Sequence, residues 1–235
     1  MESDNQNLLI EGIERMGLPV LAGQLAALAT YHDALLLTNA AGLNLTGIRD
    51  ERESTIRNLL DSLAGWIHVG DPEIIDDERM RLVEIGSGAG LPGIPLGIVL
   101  PFREIVLVES KEKKAAFLRD VTDVLNELIA PRRFVVARAD ANQLPVPRRF
   151  ERLVARAFGP LKDLFRFVDR FVAWNGRGVA YKGRRETIDA ELAELSEVQQ
   201  RRCEVEPIEV PFLDAVERHI VRLAPHSKTP REDVS

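Results

Sequence analysis

The segment Leu82-Val83-Glu84-Ile85-Gly86-Ser87-Gly88-Ala89-Gly90-Leu91-Pro92-Gly93 carries the reading of this chain. Leu82 to Ile85 make a short buried strand, and glycines at alternate positions end it. Pro92 and Pro95 then open a helix, where proline's missing N–H costs little, and Pro101 stops it, so the helix is short, over 92–99. A strand handed to a helix through spaced glycines lets a ligand touch the backbone. The helix start adds free N–H groups and the positive end of its dipole. Such a turn suits a nucleotide-like cofactor with polar groups to cradle.

On either side of that turn two patterns meet. Residues 1 to about 68 have helical spacing: Leu21, Leu25, Leu28, Leu35 and Leu36 between Pro19 and Ala40, then Ile56, Leu59, Leu60 and Leu63 between Glu51 and Trp66. Gly70-Asp71-Pro72 and the acidic Asp76-Asp77-Glu78 read as a linker. Beyond it, strands are expected at 81–85, 104–109, 133–138, 152–155, 177–181, 203–210 and 217–223. Helices are expected at 92–99, 111–129, 160–173 and 186–199. Strand–helix alternation of this kind gives an α/β fold, a mostly parallel sheet with helices on both faces. The expected organisation is a helical cap over 1–70, an acidic linker over 71–80, a sheet domain over 81–225 and a disordered tail over 226–235.

At 235 residues with 45% hydrophobic content, the chain can bury one sizeable core. It has no apolar run of the roughly 20 residues that cross a bilayer, and Met1-Glu2-Ser3-Asp4 has no signal-peptide pattern, so a soluble cytoplasmic protein is expected. The single Cys203 forbids an internal disulfide and reads as a packed core thiol, while the four histidines, 32, 68, 219 and 226, are scattered. No metal is expected. The net charge of −6 hides an asymmetry: residues 81–190 carry 20 basic and 13 acidic side chains, whereas the flanking segments are acidic. A basic middle suggests a polyanionic partner, although charge runs also coat ordinary solvated helices.

Within the sheet domain, Glu109 ends the second strand 19 residues after Gly90. A carboxylate there can accept from two ribose hydroxyls. Arg156 lies at a strand's carboxyl end inside the apolar run Leu153-Val154-Ala155 and Ala157-Phe158. An arginine in such a place needs a partner, and that edge of an open sheet is where ligands bind. The glycines alone admit two cofactors. Gly88 to Gly93 is formally G-x-G-x-x-G, the dinucleotide fingerprint, but the strand ends too early for Gly88 to be its first turn glycine. Counting from Gly86 gives G-x-G-x-G directly after the strand, the spacing associated with S-adenosylmethionine. From the glycines alone, methyltransferase and nicotinamide-dependent dehydrogenase both remain open.

Other segments carry a resemblance. Leu43-Asn44-Leu45-Thr46-Gly47-Ile48 is similar to an N-L-T-x-I segment, Arg57-Asn58-Leu59-Leu60-Asp61-Ser62-Leu63 to R-H-L-L-D-S-L, and Gly86 to Pro95 to G-T-G-x-G-x-P-G-I-P. Ala155-Arg156-Ala157-Phe158, Tyr181-Lys182-Gly183 and Glu217-Arg218-His219 resemble S-R-A-F, L-K-G and E-R-H. In this order they resemble the bacterial 16S ribosomal RNA guanine-N7 methyltransferase family, RsmG or GidB, over about 42 to 223. The resemblance implies a class I methyltransferase sheet of seven strands under an N-terminal helical cap. It implies S-adenosyl-L-methionine as cofactor and 16S rRNA or the 30S subunit as partner, with the target guanine in the 530 loop. A monomer is expected.

Carried over position by position, the resemblance implies that Gly86, Gly88, Gly90 and Leu91 line the cofactor, that Glu109, Ser110 and Lys111 hold its ribose and adenine edge, and that Ala139 and Asp140 meet the adenine. It implies that Arg156 reaches cofactor and substrate; Arg156 and Lys182 are the expected catalytic side chains, as donors to guanine O6 or phosphate. Guanine N7 carries a lone pair and no proton, so direct in-line displacement needs no general base. A donor to guanine O6 or to phosphate would leave N7 free, and the basic residues at 111–119, 132–138, 148–152 and 184–185 would meet phosphates. The chain departs from the family at Asn58, where a histidine is usual, and at Glu84 and Glu109, where aspartates are commoner. A catalytically silent RNA-binding module is the remaining rival.

Overall fold

The computed structural model describes residues 1–70, 80–130, 133–145 and 149–226; most of the expected linker and of the tail lie outside them. The cap comprises α1 (Ser3–Arg15), α2 (Ala22–Ala40), α3 (Glu51–Ser54), a π-helical segment (Thr55–Leu60), α4 (Asp61–Leu63) and α5 (Trp66–Val69). The sheet domain runs β1 (Arg81–Ile85), α6 (Gly93–Val99), β2 (Glu104–Glu109), α7 (Glu112–Leu128), β3 (Arg133–Arg138), β4 (Phe150–Arg156), α8 (Leu161–Phe171), β5 (Val172–Lys182), α9 (Arg185–Ala193), α10 (Glu197–Gln200), β6 (Cys203–Pro207) and β7 (His219–Leu223). No helix among the described residues is long and apolar enough to cross a membrane.

The seven strands lie in the order β3-β2-β1-β4-β5-β7-β6. Six run in one direction, and β7 enters antiparallel between β5 and β6. The order turns back between β1 and β4, which opens a crevice at the carboxyl ends of those strands. Strands covered on both faces need apolar residues throughout, and β1 and β4 are buried along nearly their whole length. The antiparallel β7 separates this sheet from the dinucleotide-binding order that the G-x-G-x-x-G reading would require.

Several expected elements differ in detail; the strand expected at 177–181, for one, runs from Val172 to Lys182. The 186–199 helix is two, because Ser196 and Gln199 form a capping box that starts a new helix. The 203–210 strand stops at Pro207, with one further backbone bond to the neighbouring strand, Ile208 N–H to Arg218 O at 2.9 Å, beyond it. The Glu51–Trp66 helix passes through the π segment, which apolar spacing does not reveal. Cys203 is half-buried rather than fully packed; its Sγ donates to the Gln199 carbonyl, and burial pushes the thiol up to about 11.

Cap and sheet share one core. Leu28, Leu35, Leu59 and Leu63 of the cap pack in the same cluster as Leu82, Ile94, Leu107 and Val154. All seven residues of α6 are buried. Gly97 lets that helix lie close on the sheet, since a Cβ there would come within 2.7 Å of Phe134. The last carbonyls of α6 would lack partners, and Gln24 of α2 supplies them, donating to Ile98 O at 2.9 Å and Val99 O at 3.2 Å. A second cluster on the opposite face of the sheet gathers Phe165, Phe171, Leu153 and Ile188 under α8 and α9.

Candidate active site

The glycine turn is the floor of the crevice. Gly86, Gly88 and Gly90 all have left-handed backbones, with φ of 69°, 57° and 88°. That region is costly for any residue with a Cβ. The turn is closed by its neighbours: Ser87 N–H donates to Val108 O, and the Tyr31 hydroxyl of α2 donates to Ala89 O at 2.9 Å. Gly90 and Leu91 are buried beneath the turn, whereas Gly86 is exposed and Gly88 half-buried.

Glu109 stands across from the turn at the end of β2. One carboxylate oxygen accepts the Gly88 N–H at 2.8 Å and the other the Lys111 N–H at 2.7 Å. Each oxygen keeps a lone pair for a further donor. Ser110 and Lys111 are exposed beside it, and Ala139 follows β3 with its N–H on Glu109 O at 3.2 Å. Asp140 is exposed and accepts from Asn142, an Asx-type turn. The crevice therefore brings Gly86, Gly88, Glu109, Ser110, Lys111 and Ala139 together, and leaves Gly90 and Leu91 to support it from below.

Arg156 ends β4. Directly after it Ala157 is left-handed, with φ of 54°, a conformation that is costly outside glycine and is kept where the surroundings impose it. The chain turns there, and Phe158 comes to rest on Gly86, whose added Cβ would lie 2.6 Å from the ring. Phe158 also meets Phe167 edge-on at 5.3 Å. Arg156 has the partner that its place required: Asp61 of the cap, at 3.1 Å. Lys182, one strand over, spends its ammonium on Gly159 O at 2.7 Å and both Glu191 oxygens at 3.0 and 2.8 Å. A donor for a substrate oxygen there requires the exchange of one of these bonds.

One expectation about the basic surface is corrected. Arg152 does not face solvent: it is buried, and Nε donates to Val69 O at 2.7 Å. Arg138 and Arg119 both pair with Glu112 on α7. Arg132 and Arg148 lie outside the described residues. No group of three or more His, Cys, Asp or Glu side chains among the described residues could hold a metal ion.

The comparisons with known proteins fit this geometry. A family model described as rRNA small subunit methyltransferase G, GidB, matches residues 24–221. The chain belongs to the rRNA small subunit methyltransferase G family. A protein of that name from Ralstonia nicotianae is 37% identical over 226 residues, covering 95% of this chain and 96% of the relative. One from Enterobacter sp. is 35% identical, covering 94% and 98%. Among solved structures, the tRNA (m1A58) methyltransferase TrmI from Aquifex aeolicus superposes with a TM-score of 0.53 at 13% identity, over 72% of this chain and 69% of that one. At that identity the likeness concerns the fold, the class I methyltransferase sheet, and nothing finer.

For a member of the methyltransferase G family, the residues missed from sequence are those that join the cap to the sheet domain beside the crevice: Tyr31 and Asp61 of the cap, and Tyr181 of β5. Tyr31 and Tyr181 are buried donors, and burial pushes both hydroxyls well above the usual tyrosine range, so they stay protonated. Tyr181 donates to Ser62 O at 2.8 Å. Asp61 sits in the R-N-L-L-D-S-L segment that carried part of the resemblance. That segment was the one available signal, and it did not say which strand Asp61 meets.

Proposed function

We propose that this chain transfers a methyl group from S-adenosyl-L-methionine to N7 of a guanine in the 530 loop of 16S rRNA, acting on the small subunit or its RNA as a cytoplasmic monomer without a metal. Membership of the methyltransferase G family supplies the reaction class. The observation that carries the site is the open left-handed turn at Gly86 and Gly88 facing the Glu109 carboxylate, at the point where the strand order reverses.

The residues present fit that cofactor. Glu109 retains acceptor capacity on both oxygens for a ribose diol, and its own bonds to Gly88 and Lys111 fix its direction. Gly86 and Gly88 bring bare backbone to the crevice where a side chain would fill it. Ser110, Lys111, Ala139 and Asp140 border the adenine side, and Gly90 and Leu91 hold the turn from beneath. When bound, S-adenosylmethionine supplies a sulfonium methyl that needs no further activation.

The chain's own residues then have a limited task. N7 of guanine has an in-plane lone pair and no proton, so none of them must act as a base. Holding N7 in line at contact distance is the main contribution, an effect of up to about 7–11 kcal/mol. Arginine is suited to guanine because O6 is an acceptor beside N7; N7 must stay free, so Arg156 donates to O6 or to phosphate. Lys182 joins it by exchanging a bond with Glu191, and in its resting position it fixes the 157–160 turn.

Labelled S-adenosylmethionine and small subunits lacking N7-methylguanine in the 530 loop provide the test. Label mapped to guanine N7 in that loop is the expected result. Bound cofactor with label elsewhere reassigns the substrate, and bound cofactor with no transfer to any rRNA leaves a silent RNA-binding module.

A further inference from the structure

Arg156 is held from a distance along the chain. Its Nη1 donates to the Asp61 carboxylate at 3.1 Å and to the Arg57 carbonyl at 3.2 Å, both from the cap, 95 and 99 residues earlier. The other Asp61 oxygen accepts from Nε of Arg218, just before β7, at 2.8 Å. One carboxylate, its side chain 7% exposed, thus gathers guanidiniums from the end of β4 and the approach to β7.

The π segment explains how the cap offers two acceptors at one point. In an α-helix the Asp61 N–H would bond to the carbonyl four residues back, that of Arg57. Here it bonds to Ile56 O, five back. The Asp61 N–H is thus turned away from the Arg57 carbonyl, which accepts from Arg156. π turns of this kind are rare and recur at functional sites.

Charge gives the arrangement its use. Two guanidiniums, always protonated, share one carboxylate, so one positive charge is left over at this point. Nε and Nη2 of Arg156 and Nη2 of Arg218 have no protein partner among the described residues. Donors held in a fixed fork suit an oxygen acceptor on a base edge or a phosphate. The cap does not need Asp61 merely to stay docked, since Tyr31, Tyr181 and Gln24 already bond it to the sheet domain.

We propose that Asp61 is a positioning residue for methyl transfer: with the Arg57 carbonyl it sets the direction of the Arg156 fork and brings Arg218 beside it. The inference rests on the reading of Arg156 as the substrate-side arginine. Asp61 itself touches neither methyl group nor target base.

The test uses the full chain, labelled S-adenosylmethionine and small subunits lacking the target methyl group. The unaltered chain is run first; if it transfers nothing, the functional reading fails and this inference falls with it. With that control active, Asp61→Asn is expected to lower kcat by about 10- to 100-fold, while the dissociation constant for S-adenosylhomocysteine, read by calorimetry, moves by less than about threefold. Turnover unchanged in Asp61→Asn overturns the proposal. So does a matched fall in kcat and cofactor affinity, which is the mark of a cap that has merely loosened. Should Asp61→Asn not accumulate folded, Asp61→Glu keeps the charge and moves it outward by one methylene. The same split between kcat and cofactor affinity in that variant supports the role, and unchanged turnover overturns it.

Discussion

Glu84 Oε1 accepts the Gly93 N–H at 2.9 Å, tying the end of β1 to the first turn of α6. Its other oxygen is buried without a hydrogen-bond partner among the described residues, and the residue is 1% exposed. Burial pushes this carboxyl up to about 8, against the pull of the Gly93 bond. An isolated carboxylate is costly in such a place, and the proton removes most of that cost.

The sign of the pH effect follows from linkage. An unfolded glutamate titrates near about 4.3, so between there and about 8 the folded state holds the extra proton and stability falls as pH rises, by at most about 1.4 kcal/mol per pH unit. Buried His32 works the other way: burial lowers it to about 4, so its contribution rises with pH up to its unfolded value near about 6.5. The two oppose each other below that point, and Glu84 alone of the pair acts above it. The melting temperature is expected to fall between about pH 6.5 and 8, and Glu84→Gln is expected to flatten that fall. A slope of the same size in Glu84→Gln would assign the effect to another group.

Gly86→Ala combines two costs. At φ of 69° a Cβ is strained by about 1–2 kcal/mol, and it would lie 2.6 Å from Phe158, whose ring is packed against Phe167. Cofactor affinity is expected to drop by about tenfold or more, since each 1.4 kcal/mol is a factor of ten. Gly23→Ala in the first turn of α2 is the control, because nothing lies within 4 Å of its added Cβ; it should leave affinity alone. Calorimetric titration with S-adenosylhomocysteine reads both, and equal affinities in the two variants would remove Gly86 from the site.

What could be read in advance follows from the range of the interactions. Gly86, Gly88 and Gly90 announce themselves because only glycine is at ease with the backbone they adopt, and that requirement is local. The seven strands are legible for the same reason, through short apolar runs between punctuating glycines and prolines. Glu109 is legible by its offset from the turn. Asp61 is not, because its partners lie 95 and 157 residues away and leave no periodic trace. The π segment is hidden too: Ile56, Leu59, Leu60 and Leu63 are spaced as an α-helix would have them. Arg152 was misread as a phosphate contact because its type and its charged neighbours suggested a surface, while its place in β4 buries it.

Glu109→Gln tests the carboxylate that closes the turn. Both of its oxygens accept backbone N–H groups, from Gly88 and Lys111. An amide has one acceptor oxygen, so its NH2 must face one of those donors, and an unmade buried bond costs about 1–3 kcal/mol. Cofactor affinity is expected to fall by about 10- to 100-fold, with a modest loss of melting temperature. Affinity within about threefold of the unaltered chain would mean that Glu109 only shapes the loop.

The last expectation concerns RNA. The exposed basic residues of the sheet domain include Lys111, Lys113, Arg133, Arg149, Arg184 and Arg185. If these meet phosphates, binding releases counterions, and log K falls with log salt at a slope of about −0.7 per phosphate contact on single strands. At the proposed site the cofactor would be held largely by backbone and one carboxylate, so its own slope should be close to flat. Titrating small-subunit RNA and S-adenosylhomocysteine across about a fourfold range of salt separates the two, and a double variant, Arg184→Gln with Arg185→Gln, should reduce the RNA slope by about 1–2. Equal slopes for both ligands would place the RNA contacts on uncharged groups instead.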